Sequence, residues 1–221
     1  MTTRDLMTTR DRTATFFDGY AREFNAIYGN QNTVINTVVN PLFRRSMKLR
    51  YQMTLEGCDP IEGRTVLDIG CGPGHYSVEL ARRGAKRVLG ADFAEGMLQI
   101  SRQAAQRANV SKVCTFEQAN VLEHSFTEKF DYVIAMGFMD YMEEPVGIVR
   151  KALSLATRRA FFSFPLDGGF LAWQRKVRYR RRCDLFLYSD GRVRDVLGEA
   201  GASRFDVTPI DRDLFVTVHL D

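Results

Sequence analysis

The segment Val66–Ser77, with the sequence VLDIGCGPGHYS, constrains the fold more than any other part of the chain. An apolar run leads into three glycines at alternate positions, Gly70, Gly72 and Gly74, and a helical pattern follows. Glycine lacks Cβ, so the chain can turn tightly there and a ligand can lie against bare backbone. The free N–H groups of the following helix point at whatever the turn holds. The segment therefore predicts a buried strand, a ligand-binding glycine turn and a helix.

Short apolar runs alternate with helical patterns through the rest of the chain, which indicates a parallel sheet covered by helices on both faces. The link Pro209–Asp213 is too short for a crossover, so the strands on either side of it are expected to pair antiparallel. We predict an α/β fold, a three-layer sandwich with a seven-stranded, mostly parallel sheet whose last strand is antiparallel. The predicted strands are 65–69, 87–92, 112–118, 130–136, 159–164, 204–208 and 214–220, and the predicted helices are 75–83, 95–108, 145–155 and 190–200.

The first 57 residues have a different pattern. Aromatic and aliphatic residues recur at spacings of three and four between Phe16 and Tyr28, which predicts a helix, and a second helix is predicted over 33–55. We expect residues 13–57 to form a helical lid on a single domain spanning 13–221. Residues 1–12 contain the near-repeat MTTRDL and MTTRDR and are expected to form a mobile leader.

Composition excludes several classes of protein. The chain has 221 residues, 45% of them hydrophobic and 26% charged, which excludes a disordered chain. Four cysteines and three histidines without metal-type spacing argue against a disulfide scaffold and predict no metal site. No apolar run has the length of a signal peptide or membrane span, so we expect a cytoplasmic protein.

Two acidic residues select among nucleoside cofactors. Asp92 ends the second predicted strand, where it is placed to accept hydrogen bonds from ribose hydroxyls. The glycines run G-x-G-x-G, with Asp68 two residues before the first, whereas the dinucleotide fingerprint is G-x-G-x-x-G. A carboxylate inside the turn disfavours a pyrophosphate and favours a cofactor with an ammonium group. S-adenosyl-L-methionine (SAM) is therefore favoured over NAD.

Residues 64–164 resemble the class I SAM-dependent methyltransferases, through the motifs LDIGCGPG, GADFAEGML, FEQANVLE and FDYVIAMGFMDYMEEP in that order. The family often has Asp where this chain has Asn120, and an amide can also accept from the adenine amino group. The resemblance implies that Asp92 binds the ribose and that the Met136–Gly137 backbone binds the ammonium group. It implies further contacts at the methionine portion from Asp68, Gly70, Cys71, Gly72 and Gly74, and at the adenine from Phe93, Met97, Asn120 and Val121.

Some of these residues have a purely structural alternative. The three glycines can serve only to make a tight turn, Met97 can belong to the core, and Asn120 can cap a helix. These alternatives stay open at the level of sequence.

The catalytic residue is inconspicuous, because methyl transfer from a sulfonium chiefly requires alignment of the nucleophile and exclusion of water. A phenol or alcohol acceptor needs a base, and a carboxylate acceptor needs none. The candidates are His75 at the start of a helix and Asp140 and Tyr141 after the fourth strand, whose structural alternative is helix capping. The chain lacks the Asn/Asp-Pro-Pro-aromatic motif of enzymes that methylate exocyclic amines, so we expect a small-molecule acceptor and no DNA.

Two segments outside these motifs bear on the acceptor. The run from Phe17 to Gly29 is similar to the N-terminal lid of magnesium-protoporphyrin O-methyltransferases, which makes Tyr20 and Tyr28 candidate acceptor contacts, with core packing as the alternative. Six of the eight residues 175–182 are basic; without them the chain has 25 basic and 27 acidic residues, and its formal charge changes from +4 to −2. The candidate acceptor contacts in this basic segment and beside it are Trp173, Arg178, Arg180 and Arg181.

The basic segment has several interpretations. It can form a lid over 165–188 that attracts an anionic acceptor, lie on an anionic membrane, contact RNA, or be a solvated helix face. RNA ranks last of the functional interpretations, because no RNA-binding module accompanies the charge. We expect an enzyme that methylates a small anionic or membrane-associated acceptor at oxygen. An NAD-dependent oxidoreductase and a non-catalytic SAM-binding protein are the alternatives, and the oligomeric state is left open.

Overall fold

The computed structural model describes residues 41–168 and 185–221. In chain order the described elements are α1 (Pro41–Gly57), β1 (Thr65–Ile69), α2 (His75–Arg82), β2 (Arg87–Asp92), α3 (Glu95–Arg107), β3 (Cys114–Gln118), β4 (Phe130–Ala135), a 3₁₀ helix (Met139–Tyr141), α4 (Val146–Leu155), β5 (Ala156–Pro165), α5 (Asp190–Glu199), β6 (Phe205–Ile210) and β7 (Asp213–His219).

The seven strands form one sheet in the order β3-β2-β1-β4-β5-β7-β6. Strands β1 to β5 pair parallel, whereas β7 pairs antiparallel with both β5 and β6. The predicted fold class is confirmed, including the antiparallel last strand. The chain leaves β1 in one direction and β4 in the other, so the strand order reverses between these two neighbours. In open α/β sheets, ligands bind at such a switch point, beyond the carboxyl ends of the strands.

The sheet is covered on both faces, because successive strand residues point to opposite sides. On one face Leu67 and Ile69 join a fully buried cluster with residues of α4 and α5. On the other face Val66 packs in a cluster that contains Leu80 of α2 and Leu55 of α1. This two-sided burial explains why the strands are continuous apolar runs.

Helix α1 contacts the turn between β6 and β7. The Ser46 hydroxyl donates to the Ile210 carbonyl at 3.0 Å and accepts from the Arg212 N–H at 3.2 Å, although the two strands lie far along the chain. The pair Arg45–Asp211, at 3.5 Å, adds to the same contact. Helix α1 is therefore part of the body that surrounds the sheet.

Several predicted segments fall partly or wholly outside the described residues. The leader 1–12 and the first predicted helix lie outside them, as do residues 169–184 of the predicted basic lid. The second predicted helix, 33–55, is described from Pro41 and ends at Gly57. Among residues 41–168 and 185–221, no helix has the length and apolarity needed to cross a membrane.

Candidate active site

The glycine turn joins β1 to α2 with three left-handed residues. Gly70, Gly72 and Gly74 have φ of +66°, +50° and +79°, a region that side chains other than glycine rarely adopt. A Cβ on Gly70 would lie 2.4 Å from the Phe138 ring, and one on Gly74 would lie 2.9 Å from the Ser101 Cβ. A Cβ on Gly72 would meet nothing within 4 Å. Packing thus requires two of the glycines, and the third leaves open backbone where a ligand can approach.

Asp92 is oriented by the same turn. Its Oδ2 accepts from the Gly72 N–H at 2.9 Å and its Oδ1 from the Ala94 N–H at 2.9 Å. The turn is also joined to β2 where the Ala91 carbonyl accepts from the Gly70 N–H at 2.8 Å. Each carboxylate oxygen has more than one lone pair, so both can accept a further hydrogen bond. Asp92 therefore presents a fixed carboxylate at the end of β2, as its predicted ribose contact requires.

Asp68 lies beneath the turn and is only 1% exposed. Its Oδ2 accepts from the Ser77 hydroxyl at 2.5 Å. Burial raises the pKa of Asp68 to about 7, the Ser77 hydrogen bond opposes that rise, and the Asp92 charge adds to it. Asp68 is thus a buried acid that titrates near neutrality, and its contact with the methionine portion stays a prediction.

Cys71 is a buried residue of the turn. Burial raises the pKa of the Cys71 thiol well above its ordinary value, so the sulfur stays protonated at neutral pH. Its backbone N–H donates to the Ala91 carbonyl at 3.2 Å. Any cofactor contact from this residue would come from its backbone.

The residues expected around the adenine lie after β2 and β3. Met97 is 1% exposed and packs with Ala94 and the partly buried Phe93. Val121 is buried in the larger cluster. The Asn120 carbonyl accepts from two following N–H groups and starts a turn, so the helix-cap alternative is not supported. The adenine contacts of all four predicted residues stay predictions.

The backbone after β4 faces a buried arginine that sequence reasoning missed. Gly137 has a φ of +72°, and a Cβ there would lie 3.4 Å from Arg50 Nη2. Arg50 is on α1, is only 9% exposed and forms an ion pair with Asp213. Arg50 also forms a hydrogen bond with Tyr76. This contact lowers the pKa of the Tyr76 hydroxyl, but burial has the larger effect and the pKa is raised overall. A buried cation thus lies beside the predicted ammonium contact, Met136–Gly137.

One signal could have found this arginine. Ser46, Arg50 and Thr54 recur at a spacing of four and are 2%, 9% and 0% exposed. Polar residues at that spacing normally mark the solvent face of a helix. In α1 these three residues lie on the buried face of the helix. Because their side chains are polar, the sequence alone suggests the solvent face instead.

Two of the three catalytic candidates lie together. Asp140 and Tyr141 belong to the 3₁₀ helix that follows β4, and Asp140 is 8% exposed. Helix α4 begins at Val146 after Pro145 and has no side-chain cap, so neither candidate caps it. His75 instead starts α2 and lines a groove with Tyr51 of α1. Desolvation lowers the pKa of His75 from its ordinary value.

The candidate acceptor contacts lie outside the described residues: Tyr20, Tyr28, Trp173, Arg178, Arg180 and Arg181. The residues that flank the basic segment are described. The Asp167 N–H donates to the Tyr188 carbonyl at 2.8 Å, and the Phe186 N–H donates to the Asp140 carbonyl at 2.9 Å. Both flanks of residues 169–184 therefore lie at the carboxyl edge of the sheet, beside the 3₁₀ helix. In the described part of the chain, no group of three or more His, Cys, Asp or Glu could hold a metal ion.

Comparison with known proteins agrees with this geometry. Residues 61–164 match the family model of a methyltransferase domain. The chain is 35% identical over 119 residues to a ubiquinone biosynthesis O-methyltransferase of Neisseria meningitidis, a match that covers 53% of this chain and 46% of the relative. It is 36% identical over 109 residues to the enzyme of the same name from Acinetobacter baumannii, covering 48% and 45%. The chain thus spans about half the length of the curated relatives it matches.

Solved structures share this fold. Magnesium protoporphyrin IX methyltransferase from Synechocystis, crystallised with S-adenosylhomocysteine (SAH), aligns with a TM-score of 0.75 and 22% identity, covering 97% of this chain and 100% of that one. A possible histamine N-methyltransferase from Thermotoga maritima aligns with a TM-score of 0.69 and 14% identity, covering 94% and 99%. At these identities the likeness is one of fold.

Proposed function

We propose that this chain, whose residues 61–164 match the family model of a methyltransferase domain, transfers the methyl group of SAM to an oxygen atom of a small anionic or membrane-associated acceptor. SAM is the expected cofactor of this domain. The observation that carries the proposal is the fixed carboxylate of Asp92, which accepts from Gly72 and Ala94 at the carboxyl edge of the sheet. A ribose needs an acceptor of this kind, whereas the turn has no fixed cation for a pyrophosphate among the contacts described above.

The cofactor would lie across the switch point between β1 and β4. In this arrangement the adenosine ribose meets Asp92, and the open backbone of Gly72 lies against the methionine portion. The methionine ammonium group meets the Met136 carbonyl, and its carboxylate meets the Arg50 guanidinium. The remaining proposed contacts are those of the resemblance: Asp68, Gly70, Cys71 and Gly74 at the methionine portion, Phe93, Met97, Asn120 and Val121 at the adenine, and Gly137 at the ammonium group.

An oxygen acceptor is supported by the curated relatives, which are named as O-methyltransferases. Asp140 is the residue best placed to act as a base, since it follows β4 and its backbone meets Phe186 beside the flanks of the basic segment. An Asp140 carboxylate would take the proton of an alcohol or phenol as the methyl group leaves sulfur. Tyr141 and His75 are retained as the other candidates.

An anionic acceptor is supported by the six basic residues in 175–182, whose flanks lie at the carboxyl edge. Tyr20, Tyr28, Trp173, Arg178, Arg180 and Arg181 are the proposed acceptor contacts. A cytoplasmic location is part of the same proposal. It is supported by the thiols of Cys58, Cys71 and Cys114, which are buried and unpaired.

The cofactor assignment is tested by calorimetry with SAH and NAD. We expect the protein to bind SAH and to show no affinity for NAD, and a preference for NAD would contradict the assignment. Catalysis is tested separately, by transfer of labelled methyl from SAM to a panel of phenols and carboxylates. Cofactor binding without transfer to any member of a broad panel would favour a non-catalytic SAM-binding protein.

The acceptor class is tested with the triple variant Arg178→Gln, Arg180→Gln, Arg181→Gln. For an anionic soluble acceptor, KM should rise while the affinity for SAH stays unchanged. For a membrane-associated acceptor, binding to anionic vesicles at low salt should fall instead. If neither quantity changes, the basic segment is a solvated face and the anionic acceptor is wrong.

A further inference from the structure

A buried hydroxyl on β5 joins the backbone after β4 to an ion pair. Ser163 is 1% exposed, and its Oγ accepts from the Gly137 N–H at 2.8 Å and from Arg50 Nη1 at 3.2 Å. Arg50 Nη1 lies 3.6 Å from Asp213 Oδ2 at the start of β7, and the two charged side chains are 11% and 7% exposed. Four residues from three strand regions and one helix thus form a continuous polar chain.

The first bond of this chain sets the direction of a carbonyl. The Met136–Gly137 peptide is trans, so its N–H and its C=O point in opposite directions. The N–H donates to Ser163 on β5, and β5 and β1 lie on opposite sides of β4. The Met136 carbonyl is therefore directed away from β5, towards the side on which β1 runs into the glycine turn.

The other end of the chain sets the position of the guanidinium. A buried arginine needs partners for its charge, and here Asp213, Ser163 and Tyr76 supply them. Asp213 faces Pro165 across the β5–β7 ladder, two residues beyond Ser163. The ladder therefore holds two of the three partners of Arg50, Ser163 and Asp213, at one place on the carboxyl edge.

We propose that Ser163 and Asp213 are positioning residues for the amino-acid portion of the cofactor. Ser163 orients the Met136 carbonyl towards the ammonium group, and Asp213 holds Arg50 where its guanidinium meets the carboxylate. Neither residue touches the cofactor itself. This inference rests on the proposed function and adds to it the residues that prepare two of its contacts in advance, which lowers the ordering cost of binding.

Two ligands separate positioning from general stability. SAH contains the whole amino-acid portion, whereas 5′-methylthioadenosine retains the adenosine and the sulfur but lacks the ammonium and carboxylate groups. In Ser163→Ala the Gly137 N–H loses its acceptor, and the Met136 carbonyl loses its fixed direction. We expect the Kd of SAH to rise on the order of tenfold. The Kd of 5′-methylthioadenosine should change less than about twofold, which is within ordinary scatter.

Thr65→Val is the matched control. The Thr65 hydroxyl also accepts from a backbone N–H, that of Asp131 at 3.0 Å, and contacts a charged side chain. It lies at the first residue of β1, the opposite edge of the sheet. This variant should lose stability in the same way as Ser163→Ala while the ratio of the two Kd values stays at its wild-type value.

Two further variants keep the test decisive. Ser163→Cys is nearly isosteric and accepts hydrogen bonds poorly, so it tests the same bond if Ser163→Ala does not fold. Asp213→Asn should also raise the Kd of SAH selectively. Combined with Ser163→Ala it should raise that Kd by less than the product of the two single effects, because Ser163 also accepts a hydrogen bond from Arg50, the residue that Asp213 holds.

The outcomes separate the inference from the function beneath it. A selective loss of SAH affinity in the Ser163 and Asp213 variants supports positioning. Equal losses for SAH and 5′-methylthioadenosine, or no loss for either, overturn it and leave the residues a purely structural role. Wild-type protein that binds neither ligand would instead overturn the proposed function.

Discussion

The two sides of the proposed cofactor site are built in different ways. The adenosine side is centred on the Asp92 carboxylate, which is held by the Gly72 N–H of the glycine turn, and these two residues are 20 residues apart. The methionine side consists of a buried ion pair and a hydroxyl, and its hydrogen-bonded partners Arg50 and Ser163 are 113 residues apart. The first side depends on local backbone geometry, and the second on the tertiary packing of α1 against β5 and β7.

The stability of the protein should be more sensitive to the loss of one charge on the methionine side than to the loss of a charge at the surface. Arg50→Met removes the guanidinium that pairs with Asp213, a carboxylate that is 5% exposed, and so breaks a buried ion pair. We expect the free energy of unfolding to fall by about 3–5 kcal/mol, as it does when a buried pair loses one partner. Urea denaturation measures the loss.

Arg64→Met provides the comparison for this change. Arg64 pairs with Asp131 at 3.5 Å, close to the 3.6 Å of the buried pair, but its side chain is 36% exposed. Its loss should cost less than about 1 kcal/mol. If the two variants lose similar stability, the pair at Arg50 behaves as a surface pair and the contrast between the two sides disappears.

The glycine turn should show a cost of its own in the pH dependence of stability, through the buried Asp68 beneath it. Burial raises the pKa of Asp68 from 3.8 to about 7, so the folded protein holds a proton that the unfolded chain releases. The contribution of protonated Asp68 to the free energy of unfolding is therefore fully present below pH 4 and is lost as pH rises through about 7. Asp68→Asn removes this loss, since the amide carries no charge at any pH.

The wild-type protein should accordingly lose stability relative to Asp68→Asn between pH 4 and pH 8, by at most about 4 kcal/mol. Denaturation of both proteins across that range measures the difference, in which the other titrating groups cancel. Parallel profiles would show that Asp68 is ionised throughout and that the turn is less desolvated than its burial indicates.

Alanine substitutions at Gly70 and Gly72 should reduce the stability of the protein by different amounts. An alanine at Gly70 must adopt a φ of +66° and place its Cβ 2.4 Å from the Phe138 ring. An alanine at Gly72 meets only the backbone strain of a φ of +50°, about 1–2 kcal/mol. We expect Gly70→Ala to lose at least about 1 kcal/mol more than Gly72→Ala, from the added overpacking.

The affinity for the cofactor should rank the two variants in the opposite order: Gly72→Ala is the more stable of the two but should lose more affinity for SAH. Gly72 has the open backbone, so its methyl group lies where the ligand approaches, and SAH affinity should fall in folded Gly72→Ala protein. Equal stability of the two variants would show that Phe138 moves aside. Unchanged affinity in Gly72→Ala would place the ligand elsewhere on the turn.

The contrast between the two sides also explains which features the sequence could predict. The strands β1 and β2 were predicted with the bounds they have, because apolar runs end at glycine or acidic residues there. Strand β5 is longer than predicted, Ala156–Pro165, because Thr157 and the two arginines after it obscure its start. Strand β6 continues through Pro209, which an edge strand tolerates because one side needs no ladder hydrogen bond.

The cofactor motifs were readable for the same reason, since each lies within a few residues of a strand end. Arg50, Ser163 and Asp213 carry no such signal, because only the folded sheet brings α1, β5 and β7 together. A buried arginine on a helix with other polar residues at a spacing of four resembles a solvent face in sequence. Sequence patterns therefore predict the glycine turn and Asp92, which depend on local backbone geometry. They do not predict the contacts among Arg50, Ser163 and Asp213, which depend on tertiary packing.

The last of the expected effects tests the ribose contact. Asp92→Ala removes the acceptor of the Gly72 and Ala94 N–H groups and leaves the ribose hydroxyls without partners. We expect SAH binding to weaken by about 1–3 kcal/mol, with a similar loss for 5′-methylthioadenosine because the ribose is common to both. Arg50→Met, by contrast, should weaken only SAH, so the two variants assign each side of the site to one half of the cofactor.

Asp131→Ala is the control for this last change, because its carboxylate also accepts a backbone N–H, that of Thr65 at 2.9 Å, at the opposite edge of the sheet. Calorimetry should give wild-type affinity for both ligands in that variant. If Asp92→Ala retains wild-type affinity as well, the fixed carboxylate serves only to join the turn to β2, and the adenosine side loses the observation on which it rests.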